Sequence, residues 1–313
     1  MLSRRHLRIR VMMALYAWYQ SKDHDAAWYE AELFKGAERS YDLYLYLLNV
    51  LTDLSAEETR YYADLPPRHT IDENPVQSTL SDNIFIRWLT ASPEYQKAIA
   101  SRTLRQKDDV EMIRKLFHNV KVTDTYKKYT SVAQHTAEED IELCQWLLGK
   151  HAGDSDFLQH YLEEKNLWWA ESYDLVKSMV LKTIRVAHPE KKGAFKLMEL
   201  FRDDEEDRAF MSQLLRTVME HDKDLEEMIS AKTKNWDYDR IALMDTILLK
   251  MALCEILYFQ TIPVKVSINE YIDLSKDYSS PKSKMFINGI LDKLVIEFKD
   301  TGKLNKTGRG LLN

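Results

Sequence analysis

Glycine and proline are scarce in this chain of 313 residues, which holds 8 and 7 of them. A sheet protein needs many turns built from those residues. No long apolar–polar alternation stands out either, so the class is all-α. Cysteine is nearly absent: Cys144 and Cys254 lie far apart in apolar helical stretches, which excludes a clustered-cysteine zinc site and leaves two buried thiols. No H-E-x-x-H occurs, and no histidine follows a glutamate by three residues, so a di-iron bundle lacks its ligands. Neither G-x-G-x-x-G nor G-x-x-x-x-G-K-[ST] is present, which removes the usual glycine-rich phosphate cradles. No catalytic residue, metal or cofactor is expected, and the chain does not read as an enzyme. Apolar runs are too short to cross a bilayer, and the N-terminus has no uninterrupted apolar segment of the secretory kind. A cytoplasmic protein with no membrane partner is expected. The formal charge of −6 argues against indiscriminate coating of nucleic acid, which requires many phosphate contacts. The length admits two domains.

Residues 1–22 contain no acid, while Arg4, Arg5, Arg8, Arg10 and Lys22 supply positive charge. Ser3 can cap a helix whose core stripe is Leu7, Val11, Ala14, Leu15 and Trp18, with Arg5, Arg8, Met12, Tyr16 and Tyr19 along the adjoining flank. Arginines interleaved with aromatics suit RNA, because guanidinium neutralises phosphate and rings stack bases. Basic amphipathic helices also lie on membranes or partner proteins, so the pattern alone leaves those alternatives open.

The stretch from Asn235 to Asp292 reads as three capped helices. The first, Asp237 to Tyr258, is apolar nearly all round and is therefore buried; Pro263 ends it. Ser267-Ile-Asn-Glu270 fits a capping box that starts the second helix. Ser279, Ser280 and Pro281 suit the start of the third, with Ile287, Leu291, Leu294 and Phe298 as its stripe. Gly289 inside that helix costs roughly 1 kcal/mol relative to alanine and implies close backbone approach, with helix packing favoured.

The run IPVKVSINEYIDLSKDY…KMFINGILD, the buried helix before it and the N-terminal RRHLRIRVMMALYAW together resemble the NusB family of transcription antitermination factors. The match covers roughly residues 1–20 and 207–298. The resemblance implies a NusB-like helical bundle of two small subdomains, here with a large helical insert after the first helix. The expected division is an arginine-rich helix (1–22), an insert of unassigned role (23–206), the rest of the N-terminal subdomain (207–234), a C-terminal subdomain (235–300) and a basic, mobile tail (301–313). It further implies binding of the boxA element of ribosomal RNA transcripts together with NusE, a small-subunit ribosomal protein, within an RNA polymerase antitermination complex. Carried over by position, Arg4, Arg5, Arg8 and Phe286 are expected on the RNA, with Arg10, Lys282 and Lys284 as further RNA-binding cations; Asp245 is expected on the protein partner, and Tyr16 on either the partner or the RNA. This sequence departs from the family pattern at Lys282, where an acid is common. The alternative function is a protein–protein scaffold on the same fold that docks a partner through the insert.

Within the insert, residues 23–62 read as helix, PPRHTIDENPVQSTLSD as a long loop, and Thr136-Ala-Glu-Glu139 as a helix start. Ala187 to Gly193 reads as a turn, and Arg202 to Arg208 as an acidic helix opening. An ungapped similarity at an offset of 67 residues sets Asp140 on Asp207, Leu147-Leu148 on Leu214-Leu215, Leu158 on Leu225, Lys165 on Lys232 and Trp169 on Trp236. A helical unit repeated in the chain would produce it.

Overall fold

The computed structural model describes residues 2–65, 76–105, 108–187, 196–233 and 241–311. Among them it is helical throughout, with no strand. The chain divides into two compact units: residues 38–200 form one, and residues 2–37 with 201–313 form the other. Helix α2 (Ala26–Ala63) runs through both.

The unit of residues 38–200 contains the greater part of α2, then α3 (Ile84–Ala91), α4 (Pro93–Ala100), α5 (Asp109–Lys121), α6 (Asp124–Thr130), α7 (Ala137–Trp146), a π-turn (Leu147–His151), α8 (Asp156–Lys165) and α9 (Leu167–Val186). Local chemistry sets the starts. Asn83 accepts from the amides of Phe85 and Ile86 at 3.0 and 3.2 Å, opening α3. Thr136 and Glu139 close the expected capping box on α7, at 2.8 and 3.2 Å. The core runs from Leu43 through Phe85, Phe117 and Cys144 to Ile184. Buried Asp109 accepts from Tyr46 (3.0 Å), Tyr161 and Lys165 (2.5 Å), which ties α2, α5 and α8 together.

The other unit packs α1 (Arg4–Ser21) against α10 (Asp204–Glu220) and α12 (Leu243–Tyr258), with α11 (Asp222–Lys232), α13 (Val264–Tyr278) and α14 (Ser283–Asp300) completing it. Helix α12 is buried on nearly every side, as its unbroken apolar text requires, and Ile287, Leu291, Leu294 and Phe298 of α14 all point inward. Acids fill the first turn of α10, whose N-cap Asp203 accepts from the Glu206 amide at 2.9 Å.

Burial at the offset of 67 residues follows the sequence similarity. The buried positions Asp140, Leu143, Cys144, Leu147, Leu148, Leu158 and Leu162 of α7 to α8 fall in register on Asp207, Phe210, Met211, Leu214, Leu215, Leu225 and Ile229 of α10 to α11, all buried.

Three expectations need correction. Helix α13 starts at Val264, not at Ser267; Ser267 turns inward to Glu255 and Glu270 to Arg8, because a buried carboxylate competes for the hydroxyl more strongly than a helix end does. Helix α14 starts at Ser283, two residues past Pro281, since Ser279 and Ser283 both bind Asp245. The tail up to Leu311 is docked: Lys306 donates to the carbonyls of Glu255 (3.3 Å) and Phe259 (2.9 Å), and Thr307 donates to Gln260. Lysine satisfies the orphan carbonyls at the end of α12. Trp236, residues 66–75 of the expected loop and most of the 187–193 turn lie outside the described residues.

Candidate nucleic-acid interface

Helix α1 begins at Ser3, whose amide donates to His6 Nδ1 at 3.1 Å. Its arginines divide into two sets. Arg8 and Arg10 are buried, at 3% and 5% exposure. Arg8 meets the fully buried Glu255 of α12 in a bidentate pair, Nε to Oε2 at 2.9 Å and Nη2 to Oε1 at 2.8 Å. Ser267 and Tyr271 of α13 also donate to that carboxylate, at 2.7 and 3.1 Å. Burial pushes the Arg8 guanidinium toward its neutral form, but the hydrogen bonds and charge of Glu255 more than offset this and hold it above its ordinary pKa. The same burial, with the Glu255 charge second, raises the Tyr271 phenol well above its usual value. One carboxylate with four donors therefore locks α1, α12 and α13 in place.

Arg4 and Arg5 are about one-third exposed. Arg4 lies over the Phe210 ring at 4.5 Å and pairs with Glu206 and Asp207, yet its Nη1 is a buried donor with no partner. Arg5 reaches across to α13, pairing with Asp277 at 2.8 Å and Asp273 at 3.7 Å. Asp273 sits below the usual carboxylate range, first through its hydrogen bond from Lys276 and further through the charges of Arg5 and Lys284. Arg5 pairs with Asp273 directly, while Lys284 acts on that carboxylate through its charge.

On α14, Lys282 and Lys284 are exposed, Met285 is 76% exposed, and Phe286 is half-buried. Gly289 corrects the expectation of a packing glycine: a Cβ there would meet nothing within 4 Å. The helix surface beyond Phe286 is open backbone. Asp245, at 6% exposure, is turned inward, accepting from Ser279 at 2.5 Å and Ser283 at 2.8 Å, and so it holds the turn that presents Lys282 and Lys284. Tyr16 stands out from α1 at 39% exposure.

The structure therefore leaves Lys282 and Lys284 exposed and Phe286 half-buried at the start of α14, pairs Arg5 with α13, leaves Arg4 on α1 beside α10, and withdraws Arg8, Arg10 and Asp245 from the surface. Residue-type reasoning missed Glu255, Ser267 and Tyr271. The signal was present: an acid inside an apolar helix needs a buried cation, and the acid-free N-terminal run supplies one. No helix among the described residues is long and apolar enough to cross a membrane. Both cysteines are buried and free.

Comparison with known proteins gives the family. The model of the NusB family matches residues 174–295. The transcription antitermination protein NusB of Salinibacter ruber is 41% identical over 110 residues, which span 35% of this chain and 69% of that protein. The protein of that name from Methylacidiphilum infernorum is 41% identical over 100 residues, 32% of this chain and 68% of the other. That of Chloroherpeton thalassium is 40% identical over 104 residues, 33% of this chain and 49% of the other. A solved structure of T. maritima NusB aligns at 24% identity over 44% of this chain and 88% of that one, with a TM-score of 0.30. With two such relatives matched over more than two thirds of their length, this chain belongs to the NusB family of transcription antitermination proteins.

Proposed function

We propose that this chain binds boxA RNA of ribosomal RNA transcripts, together with NusE, as part of an RNA polymerase antitermination complex. The observation that carries the reading is the exposure of Lys282 and Lys284 at the start of α14, followed by half-buried Phe286 and open backbone at Gly289, with the partly exposed Arg5 of α1 paired to α13. Cations neutralise phosphates, the half-buried ring offers a stacking surface, and a glycine without neighbours lets a sugar–phosphate backbone come close. Arg4, about one-third exposed, adds positive charge along α1. Arg8 and Arg10 act in this reading from within, Arg8 by fixing α1 against α12 through Glu255. Tyr16 serves the protein partner, and Asp245 sets the α13–α14 turn on which the lysines ride. Lys282, standing where an acid is common in the family, makes RNA binding tighter and more salt-sensitive.

The test is a titration against boxA RNA and a scrambled RNA of equal length, with and without NusE, at two salt concentrations. The expected result is a preference for boxA that NusE sharpens. Equal, weak binding to both RNAs that salt abolishes would refute it. For Lys282, the Lys282→Asp variant losing neither affinity nor salt slope would remove its assigned part.

A further inference from the structure

The segment after α14 is seated first by local rules and then by one amine. Gly302 takes φ +67°, its amide donates to the Lys299 carbonyl at 3.2 Å, and the Lys303 amide donates to Phe298 at 2.9 Å, a Schellman turn that ends the helix. From there the chain reaches the C-terminal end of α12, where Lys306 Nζ donates to the carbonyls of Glu255 at 3.3 Å and Phe259 at 2.9 Å. The Thr307 amide donates to Gln260 at 3.0 Å, and a Cβ on the buried Gly310 would run into that same Gln260 oxygen. Only glycine allows so close an approach. The seat is thus shaped for this segment, with Lys306 half-buried in it.

The two residues whose carbonyls Lys306 takes are the two that hold the arginines of α1. Glu255 binds Arg8 bidentately through its side chain. The Phe259 ring packs against Phe210 with centroids 5.4 Å apart, and Phe210 carries the Arg4 guanidinium at 4.5 Å and that of Arg8 at 5.6 Å over its own ring. Over its last turn α12 therefore gives backbone to the segment and side chains to α1. The helix ends on Phe259 with no left-handed residue, so the amine supplies donors that a Schellman turn would otherwise give, and its charge suits the negative end of the helix dipole. Any shift of that turn moves Glu255 and Phe259 together.

We propose that residues 302–311 are a clamp that positions the RNA-binding arginines of α1. Lys306 and Gly310 are its positioning residues: they fix the last turn of α12, so that Arg8 stays tied and Arg4 and Arg5 stay presented. The inference rests on the reading of α1 as part of an RNA face. The Lys306 ammonium is turned to carbonyls and not to phosphate, so it acts through Glu255 and Phe259. Seating of the segment and binding of RNA are then linked, and each favours the other by the same factor.

The test is Gly310→Val in the full chain, which unseats the segment without changing a charge. Affinity for boxA RNA should fall roughly fivefold or more, the low end of coupling between linked sites. The log–log salt slope should flatten by about 1.4, as the contacts of Arg4 and Arg5 are lost at ~0.7 per phosphate on a single strand. Amide exchange should quicken at Thr307 and Gly310 and also along α1 from Leu7 to Leu15, with circular dichroism unaltered. Lys306→Met should behave alike, and Lys306→Arg, which keeps a donor, should restore affinity. Lys303→Ala with Arg309→Ala removes two exposed cations of the segment and leaves its seat, so the salt slope should stay as it was. Unchanged affinity in Gly310→Val, or quicker exchange at Thr307 and Gly310 with α1 unaffected, would overturn the clamp. A slope lost in Lys303→Ala/Arg309→Ala would overturn it too, making the segment an RNA contact instead. If the unsubstituted chain shows no preference for boxA, the RNA reading fails by itself, and the exchange of α1 in Gly310→Val still decides the clamp.

Discussion

Removing the Arg8 side chain tests how the family face is held. In Arg8→Met the Glu255 carboxylate keeps Ser267 and Tyr271 but loses its bidentate cation at 2.8 and 2.9 Å, in a site with 0% exposure. Deleting one partner of a buried ion pair costs about 3–5 kcal/mol, because an uncompensated charge remains. For a unit of this size each kcal/mol shifts Tm by roughly 2–4 °C, so a fall on the order of 10 °C is expected. The double variant Arg8→Met/Glu255→Gln removes the charge and leaves the amide oxygen to accept from Ser267 and Tyr271. It should recover most of the loss, giving a coupling energy of about 2 kcal/mol or more. The assay is urea unfolding of the four proteins of the cycle, with amide exchange of α1 and α12 as the local readout. A single variant costing under about 1 kcal/mol, or single-variant losses that simply add in the double, would refute the view that Glu255 and Arg8 act as one unit.

Other expectations follow from the same structure. Glu58 is fully buried, and burial first, against hydrogen bonds from Tyr126 and the Leu80 amide, raises its pKa to about 7. An acid with a raised folded pKa stabilises the fold below its unfolded value and loses that contribution as pH rises through the folded one. Unfolding of the unit of residues 38–200 should therefore become easier between about pH 4.5 and 8, by up to about 3 kcal/mol; Glu58→Gln should flatten the profile, and an unaltered profile would refute the assignment. Gly289→Ala should raise Tm, since helix propensity favours alanine by about 1 kcal/mol and nothing obstructs its methyl, while weakening RNA binding; a lower Tm would contradict the open surface. Gly153→Ala should do the opposite, because its Cβ would fall 1.8 Å from the Leu148 carbonyl oxygen; a Tm equal to that of the unsubstituted chain would be inconsistent with that approach. Asp245→Ala should speed amide exchange at residues 279–284 and lower RNA affinity while α1 keeps its protection; unchanged exchange would show that Asp245 does not hold the turn.

Element type was legible wherever a helix carried its own start. Thr136 and Glu139, or the acids of α10, act over one turn, so local sequence suffices. Boundaries at Ser267 and Pro281 moved because distant residues competed for the same hydroxyls: Glu255 took Ser267, and Asp245 took Ser279 and Ser283. The arginines show the same limit. All four were visible as an acid-free basic run, but helical spacing could not tell which would meet a buried carboxylate 247 residues away.

The sequence by itself determined the all-α class, the NusB family and the buried α12, since periodicity and residue order are written along the chain. Tertiary structure alone decided that Arg8 is an internal tie while Arg5 pairs with α13, that Asp245 turns inward to hold the start of α14, and that the tail caps α12. Those outcomes depend on which groups desolvate together, and desolvation is a property of packed neighbours, not of spacing.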